Sequence, residues 1–357
     1  MLRPVVLLAL VLPCFVGPAS LAAPSLAAPQ DAKPDKLAYD AAQAQKKRGE
    51  NREAAGAFEA LALTYPDSPL APNSLVEAGV CWFTVGRDSL ELHRVTPKAR
   101  EAFDAALGVF DRVTKQWPKS GVASRAQYMR GSTRLFAGEL ELAEAAYDGV
   151  LANFPADANY LAKALERRGF VRRQLMKNAD AVVDMKAYLE RYPKGESAAA
   201  VQQYVELSKL LDQPAPTWTA DAWVQGEPTP LELCGGRVVA LYFFASWCPN
   251  CAKELPFMLD LEKRFTPRGV AFVGVMDQSR GQTVASLATY LREKKLGFPV
   301  LQHAGPVSTA YGLPSIPHLV LIDRAGRVRW RDNPANLADW TLEKLLAEDG
   351  HEVLEGK

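Results

Sequence analysis

Residues 247–251 read Trp-Cys-Pro-Asn-Cys, and they stand between the apolar run VVALYFFAS (238–246) and the run AKELPFMLDLEKRF (252–265). This order predicts a buried strand, a sharp turn and a helix. On the first turn of a helix, side chains three positions apart lie on one face, so the sulfurs of Cys248 and Cys251 can meet. The free N–H groups and the macrodipole of the helix N-terminus favour a thiolate on the earlier cysteine. Because thiolates attack disulfides, the stretch predicts a redox dithiol in which Cys248 is the partly exposed nucleophile and Cys251 the buried resolving residue.

Three other uses of a cysteine pair compete with redox chemistry: a static disulfide, half of a zinc site and a haem attachment. A zinc site needs a second pair, and Cys81 and Cys234 are single and far apart in the sequence. A c-type haem link needs a histidine directly after the pair, where Ala252 stands. The sequence therefore predicts neither a metal nor a cofactor. Cys81 lies in an apolar helical run and is expected to pack as a buried thiol, whereas Cys234 is either a free thiol or the partner of Cys81.

The chain has 357 residues, of which 48% are hydrophobic, and a formal net charge of +1 at pH 7. This length suffices for two domains, and the near-neutral charge gives no reason to expect nucleic-acid binding. Residues 1–22 have the pattern of a secretory signal peptide, with Arg3 before an apolar stretch and small residues before a cleavage point at Ala23. Export to an oxidising space, the periplasm, is therefore predicted. Residues 23–36 are rich in Ala, Pro and Lys and predict a flexible linker.

A helical composition, with apolar residues three and four positions apart, runs from residue 37 to residue 212. Within it four helices are predicted to end at aromatic–proline pairs, which are Tyr65-Pro66, Trp117-Pro118, Phe154-Pro155 and Tyr192-Pro193. The prolines lie 52, 37 and 38 residues apart, a period typical of stacked helical hairpins. The first interval is longer because of an insertion at residues 86–97, which predicts a long loop between two helices. The region resembles tetratricopeptide-like repeats, and the resemblance implies a docking surface for a protein partner.

Residues 213–357 have a different composition, in which β-branched and aromatic runs alternate with helical ones. The segment 212–216 marks the change, since its two prolines close the helical array. The alternation predicts an α/β layer fold. The sequence Asp-Arg-Ala-Gly at 323–326 predicts a hairpin that adds an antiparallel edge to the sheet. The predicted architecture is an all-α hairpin array followed by an α/β domain with a mixed central sheet.

The strings FFASWCPNCAKELP (243–256) and YGLPSIPHLVLIDRAGRVRW (311–330) resemble the thioredoxin superfamily, and within it the exported TlpA/ResA-like thiol–disulfide oxidoreductases. The resemblance covers residues 214–350. The family pattern W-C-x-P-C-x-x-E-x-P is matched at Trp247, Cys248, Cys251, Glu254 and Pro256. Pro249 and Asn250 depart from it, because the family's usual proline is the second middle residue. This departure leaves the direction of the redox reaction open.

The resemblance implies roles for four further residues. Glu254 would assist proton transfer at the dithiol, and because it lies one helical turn beyond Cys251 it could accept that thiol's proton. Pro317 would be the superfamily's cis-proline, which turns the backbone of Ile316 toward the site so that a substrate chain pairs with it. Trp247 would shield the sulfurs and form an apolar docking face.

Two further positions differ from the relatives. Tyr242 stands six residues before the first cysteine, where classical thioredoxins place an acidic residue, and a phenol cannot replace that acid at neutral pH. His318 stands where relatives often have threonine. We expect it to be a partly exposed strand histidine, and the alternative is an imidazolium that stabilises the thiolate.

Together these features predict an enzyme, an exported thiol–disulfide oxidoreductase that reduces, or oxidises, the disulfides of protein substrates. By resemblance its electron donor would be a membrane thiol-reductase, and its substrates would include apocytochrome c or other exported thiols, as in cytochrome c biogenesis. Two alternatives remain: a scaffold protein with a thioredoxin-like adaptor domain, and a copper-handling thioredoxin-like protein, a class whose cysteines are normally spaced by three. A peroxiredoxin is disfavoured because its P-x-x-x-T-x-x-C string is absent.

Overall fold

The structure is a computed structural model, and it describes residues 33–218, 220, 222–277, 280, 282–303 and 306–348. The predicted signal peptide and most of the predicted linker lie outside these ranges. None of the helices in the described part of the chain is both long and apolar enough to cross a membrane.

A helical array forms the N-terminal half of the described chain. Its helices are α1 (Pro34–Lys47), α2 (Asn51–Thr64), α3 (Ala71–Arg87), α4 (Pro97–Gln116), α5 (Ala123–Phe136), α6 (Leu140–Asn153), α7 (Ala158–Gln174), α8 (Asn178–Arg191) and α9 (Ala198–Leu207). Helix α1 begins at Pro34 rather than at residue 37, because proline suits the first turn of a helix. Residues 88–96 separate α3 from α4, as the 52-residue spacing predicted, and we call them the insertion loop.

The four aromatic–proline pairs end helices α2, α4, α6 and α8 in the same way. Each aromatic residue is the C-cap, with φ between -126° and -131°, and its N–H still bonds to the carbonyl four residues before it. The proline that follows excludes the helical conformation at the preceding residue, so the chain turns at that point. The repeated pair is thus the local cause of the hairpin repeat.

The C-terminal half is an α/β domain. Its elements are β1 (Ala222–Gln225), β2 (Val238–Phe244), α10 (Pro249–Phe265), β3 (Val270–Asp277), α11 (Val284–Lys294), β4 (Val300–His303), α12 (Pro306–Ala310), β5 (His318–Ile322), β6 (Val328–Asp332) and α13 (Asp339–Ala347). The described strands form one sheet in the order β1-β4-β3-β2-β5-β6. Strands β2, β3 and β4 are parallel, whereas β1, β5 and β6 pair antiparallel, which confirms the predicted mixed sheet and hairpin.

Two details of this domain differ from the sequence prediction. Strand β1 was not predicted, since it is a short edge strand that is only half-buried along its length. The last helix, which the sequence predicts from Ala335 to Ala347, begins only at Asp339, because a 3-10 turn at Pro334–Asn336 comes before it.

The helical array and the α/β domain share a hydrophobic core. Strand β2 is buried at every position, and its alternate side chains point to two different clusters. One cluster joins β2 to α10, α11 and α13. The other joins β2 to residues of α7, α8 and α9, which are Leu165, Ala181, Met185, Tyr188, Val201 and Tyr204. The last helices of the array therefore close one face of the sheet.

Polar contacts reinforce this junction at the turn between α7 and α8. Arg173 forms an ion pair with Asp332 at the end of β6. Gln174 donates a hydrogen bond of 2.7 Å from Nε2 to the carbonyl of Asn336. Met176 follows with φ 56°, and its buried side chain belongs to the cluster of the α/β domain. The two halves are thus packed together rather than joined only by a hinge.

Candidate redox active site

The two cysteines begin helix α10 directly after strand β2. Cys248 is the N-cap residue, and its Sγ accepts a hydrogen bond of 3.2 Å from the backbone N–H of Cys251. Pro249 follows at the first turn, where a missing N–H leaves no bond unmade. The sulfur of Cys248 therefore lies at the positive end of the helix, the environment that favours a thiolate.

Both cysteines are free thiols in the structure and both are buried. Cys251 is 1% exposed, as predicted, but Cys248 is 6% exposed rather than partly exposed. The reason is that neighbouring elements cover the helix N-terminus, which the local sequence could not show. Burial raises the pKa of the Cys251 thiol well above its ordinary value, and the hydrogen bond and charge of Cys248 raise it further. Cys251 therefore needs a proton acceptor before it can act as a nucleophile.

The loop before β5 brings Ile316 and Pro317 to the dithiol. The Ile316–Pro317 peptide is cis, as the resemblance implied. The thiol of Cys248 donates to the carbonyl oxygen of Ile316, with Sγ and O 3.8 Å apart. A backbone carbonyl thus faces the sulfur at the place where an extended substrate chain would pair.

The structure contradicts both sequence predictions for His318. It begins β5 opposite Phe243 of β2, and it is 2% exposed rather than partly exposed. Burial, together with the charges of Arg331 and Arg173, lowers the pKa of His318 to about 3. The ring is therefore neutral at physiological pH and supplies no imidazolium to the thiolate. The sequence missed this because the two arginines come from β6 and from the helical array.

Glu254 and Tyr242 lie near the two thiols. The carboxylate of Glu254 is mostly buried, and its Oε2 accepts no hydrogen bond from any described residue. Tyr242 is fully buried, and its hydroxyl is likewise without a described partner. Burial raises the pKa of the Tyr242 phenol, and the charges of Cys251, Cys248 and Glu254 add to that effect. The Tyr242 phenol is thus within electrostatic reach of both thiols and of the Glu254 carboxylate.

Trp247 is half-buried against the core that contains both cysteines. One face of its ring carries the guanidinium of Arg280, 3.9 Å from the ring centroid, which is a cation–π contact. Part of the apolar face expected to receive a substrate is therefore covered by a charged side chain.

The insertion loop supplies a residue that the sequence reading missed. Nε2 of His93 lies 3.4 Å from Oε2 of Glu254, and its ring packs edge-on against Phe257, with centroids 4.9 Å apart. Arg94 pairs with Asp260 at 3.5 Å on the same helix, α10. The only sequence signal of this contact was the unusually long first interval between the prolines.

A groove with a volume of about 560 Å³ runs between the helical array and the α/β domain. Phe136 and Phe170 line it from the array, and Trp340 lines it from α13. His93 stands on its wall, so the groove adjoins the face of α10 that carries Glu254.

The two remaining cysteines lie apart from the site and from each other. Cys81 belongs to a core of the helical array and Cys234 to the core shared with the sheet. Both are free thiols, so the possible Cys81–Cys234 bond is not present. Burial raises the pKa of Cys81 to about 11 and also raises that of Cys234, which makes both poor nucleophiles. Across the described ranges no group of three or more His, Cys, Asp or Glu side chains is arranged to hold a metal ion.

Comparison with known proteins finds similarities in both halves of the chain. Residues 211–331 match the model of the AhpC/TSA family, and residues 37–68 match a tetratricopeptide repeat. The thiol-disulfide oxidoreductase ResA of Bacillus cereus is 27% identical over 134 residues, which are 37% of this chain and 68% of that protein. ResA of Bacillus subtilis is 32% identical over 94 residues, 26% of this chain and 51% of that protein. A solved thiol:disulfide interchange protein from Chlorobium tepidum superposes with a TM-score of 0.33 at 25% identity, covering 38% of this chain and 96% of that one. The chain thus combines a thioredoxin-like domain, similar to the thiol-disulfide oxidoreductase ResA, with a helical region whose first helices are similar to a tetratricopeptide repeat.

Proposed function

We propose that this protein is an extracytoplasmic thiol–disulfide oxidoreductase that acts on protein substrates through Cys248 and Cys251. The observation that carries the proposal is the position of Cys248 Sγ. It caps helix α10, accepts the N–H of Cys251, and faces the carbonyl of Ile316. A sulfur held at a helix N-terminus and facing a backbone carbonyl has what disulfide exchange needs, a helix dipole that favours the thiolate and a place for the substrate chain.

In the reductive direction the thiolate of Cys248 attacks one sulfur of a substrate disulfide. A mixed disulfide forms, and the other substrate sulfur leaves as a thiolate that takes a proton from water. Cys251 then loses its proton and attacks Cys248 Sγ, which releases the second substrate thiolate. The substrate disulfide gains two electrons and the dithiol becomes the Cys248–Cys251 disulfide. The reverse sequence oxidises a substrate dithiol.

Glu254 is the proposed proton acceptor for Cys251. Burial makes that thiol a weak acid, so a nearby base has the most to contribute at the resolving step. Glu254 lies on the same helix one turn further on, and its charge acts on Tyr242 as do the charges of both thiols. Trp247, Ile316 and Pro317 are the proposed contacts of the substrate chain.

The site of action and the partners extend this proposal. The periplasmic location depends on the signal sequence at residues 1–22, and reduction of the oxidised dithiol would fall to a membrane thiol-reductase. We further propose that residues 37–212 dock partner proteins and residues 213–357 carry out the chemistry. The groove between them would hold a polypeptide segment of the substrate protein, because it joins the face of α10 that carries Glu254.

Cysteine variants test the redox chemistry directly. Cys251→Ser should accumulate a mixed disulfide with a disulfide-bearing protein such as insulin, visible as a covalent complex on non-reducing gels. Cys248→Ser should form no complex and should reduce no disulfide. Cys81→Ser is the matched control, since it also removes a buried thiol but should keep full activity. Disulfide reduction by the Cys248→Ser/Cys251→Ser protein at the native rate would refute the proposal.

A further inference from the structure

We propose that His93, from the helical array, carries the proton of the resolving step between Glu254 and solvent. This inference rests on the proposed redox function and adds a second residue to the proton path. It also gives the insertion loop a part in the chemistry of a domain more than 100 residues further along the chain.

The insertion loop is built as a tight turn that points at α10. Glu91 and Arg94 exchange backbone hydrogen bonds of 3.1 and 2.9 Å, and the two residues between them form the tip. Leu92 and His93 have φ values of 47° and 62°. Such a two-residue turn ordinarily takes Asn and Gly, because other side chains are strained in the left-handed region. The contacts of Arg94 with Asp260 and of His93 with Phe257 hold the tip in place.

The carboxylate of Glu254 lies in the interior and the imidazole of His93 lies nearer the surface, so the two groups can pass a proton outward one after the other. Oε2 of Glu254 is buried and has no described hydrogen-bond donor, so a proton on that oxygen leaves through a neighbouring group. Nε2 of His93 is 3.4 Å from that oxygen, and the side chain of His93 is 42% exposed against 19% for Glu254. Imidazole is the side chain that most readily accepts and releases protons near neutral pH, and it has a separate nitrogen for each.

The proton balance of the step is complete within these residues. Cys251 gives its proton to Glu254 as its sulfur attacks Cys248 and expels the substrate thiolate. Glu254 passes the proton to Nε2 of His93, and the ring releases a proton from Nδ1 to water. In the oxidising direction a proton passes through the same groups in reverse order and reaches Cys251.

Several charged groups surround this proton path and affect its pH dependence. The charged and titratable groups around His93 are Glu254 and Asp260 on α10, Glu91 and Arg94 on the insertion loop, and Arg167 and Asp339 across the groove. Arg94 and Asp260 are paired with each other. Because none of these groups lies between Nε2 and Oε2, the direct exchange is between His93 and Glu254.

A chromogenic aryl disulfide separates the two chemical steps in the reduced full-length protein. The first burst of aryl thiolate reports attack by Cys248, and the second reports resolution by Cys251. His93→Ala should slow the second phase by about a hundredfold, the low end of general acid–base effects, and leave the first phase unchanged. Added imidazole should restore the second phase. Leu92→Ala is the matched control, because it alters the other tip residue and should leave both phases at native rates.

The variant that combines both substitutions tests whether His93 acts through Glu254. In a Glu254→Gln background His93→Ala should slow the second phase no further, since the carboxylate that exchanges protons with His93 is already absent. Equal slowing in both backgrounds would overturn the inference, as would a native second phase in His93→Ala or a loss that imidazole does not restore. If His93→Ala folds poorly by circular dichroism, His93→Gln keeps the side-chain volume and tests the same outcomes. Absence of the first burst in the native protein would instead count against the redox function itself.

Discussion

Two buried tyrosines of the redox domain predict opposite effects of the same substitution. Tyr242 and Tyr311 are both fully buried, and burial raises the pKa of both phenols. The hydroxyl of Tyr311 donates a hydrogen bond of 2.7 Å to the carbonyl of Pro216, whereas that of Tyr242 has no described partner. We therefore expect Tyr311→Phe to lower the free energy of unfolding and Tyr242→Phe to raise it.

The size of the difference follows from the hydroxyl groups alone, since both substitutions remove one oxygen atom and keep the ring. An intramolecular hydrogen bond contributes about 1 kcal/mol net, so Tyr311→Phe should lose about that much. A buried hydroxyl without a partner costs about 1–3 kcal/mol, so Tyr242→Phe should gain up to about that much. The two variants should differ by about 2 kcal/mol or more in the free energy of unfolding.

Urea unfolding followed by tryptophan fluorescence measures this difference with one preparation of each variant. Equal slopes in urea would show that the two variants expose the same surface on unfolding, so that midpoints can be compared. A loss in Tyr242→Phe as large as that in Tyr311→Phe would refute the reasoning. It would mean that a buried water or another group satisfies the Tyr242 hydroxyl.

Two further predictions concern burial and close packing. Because the unfolded chain protonates His318 near pH 6.5 and the folded protein only near pH 3, the unfolded state binds the extra proton and stability falls as pH falls between these values. The contribution of His318 to the slope should approach about 1.4 kcal/mol per pH unit, so the slope in His318→Thr should be smaller by that amount; an unchanged slope by acid titration of unfolding would contradict this. Gly131→Ala should destabilise the array by about 1–3 kcal/mol in thermal unfolding, since its new Cβ would lie 2.6 Å from Cε1 of Tyr147. Gly108→Ala, where no atom lies within 4 Å, should instead be neutral or stabilising, and equal losses in both would argue against crowding as the cause.

The parts of the fold that depend on neighbouring residues in the sequence were predictable. Each aromatic–proline pair acts on its own helix end, so the four hairpins followed from four local signals. The dithiol turn is likewise local: an apolar strand, a capping cysteine and a proline at the first helical turn define it within a dozen residues. The cis peptide before Pro317 was predicted from resemblance alone, and the structure has it.

The features that the sequence did not predict depend on contacts between distant segments. His318 is a polar residue at the start of the apolar strand β5, and its burial becomes clear only when the array and β6 are packed around it. Cys248 is buried for the same kind of reason. His93 lies 161 positions before Glu254 in the sequence, and no periodicity relates the two. The insertion shows where the repeat departs from its pattern, but the packing of the whole array decides which surface the insertion loop contacts.

The array contacts the α/β domain through its last helices and, separately, through the insertion loop. Met176 and the ion pair of Arg173 hold the α7–α8 turn against the end of the sheet, while His93 contacts α10. Left-handed conformations at Leu92 and His93 cost about 1–3 kcal/mol each, and they persist only where surrounding contacts overcome that cost. The position of His93 beside Glu254 is therefore a property of the packed array and α/β domain together, which makes the helical part of the chain a structural component of the candidate redox site.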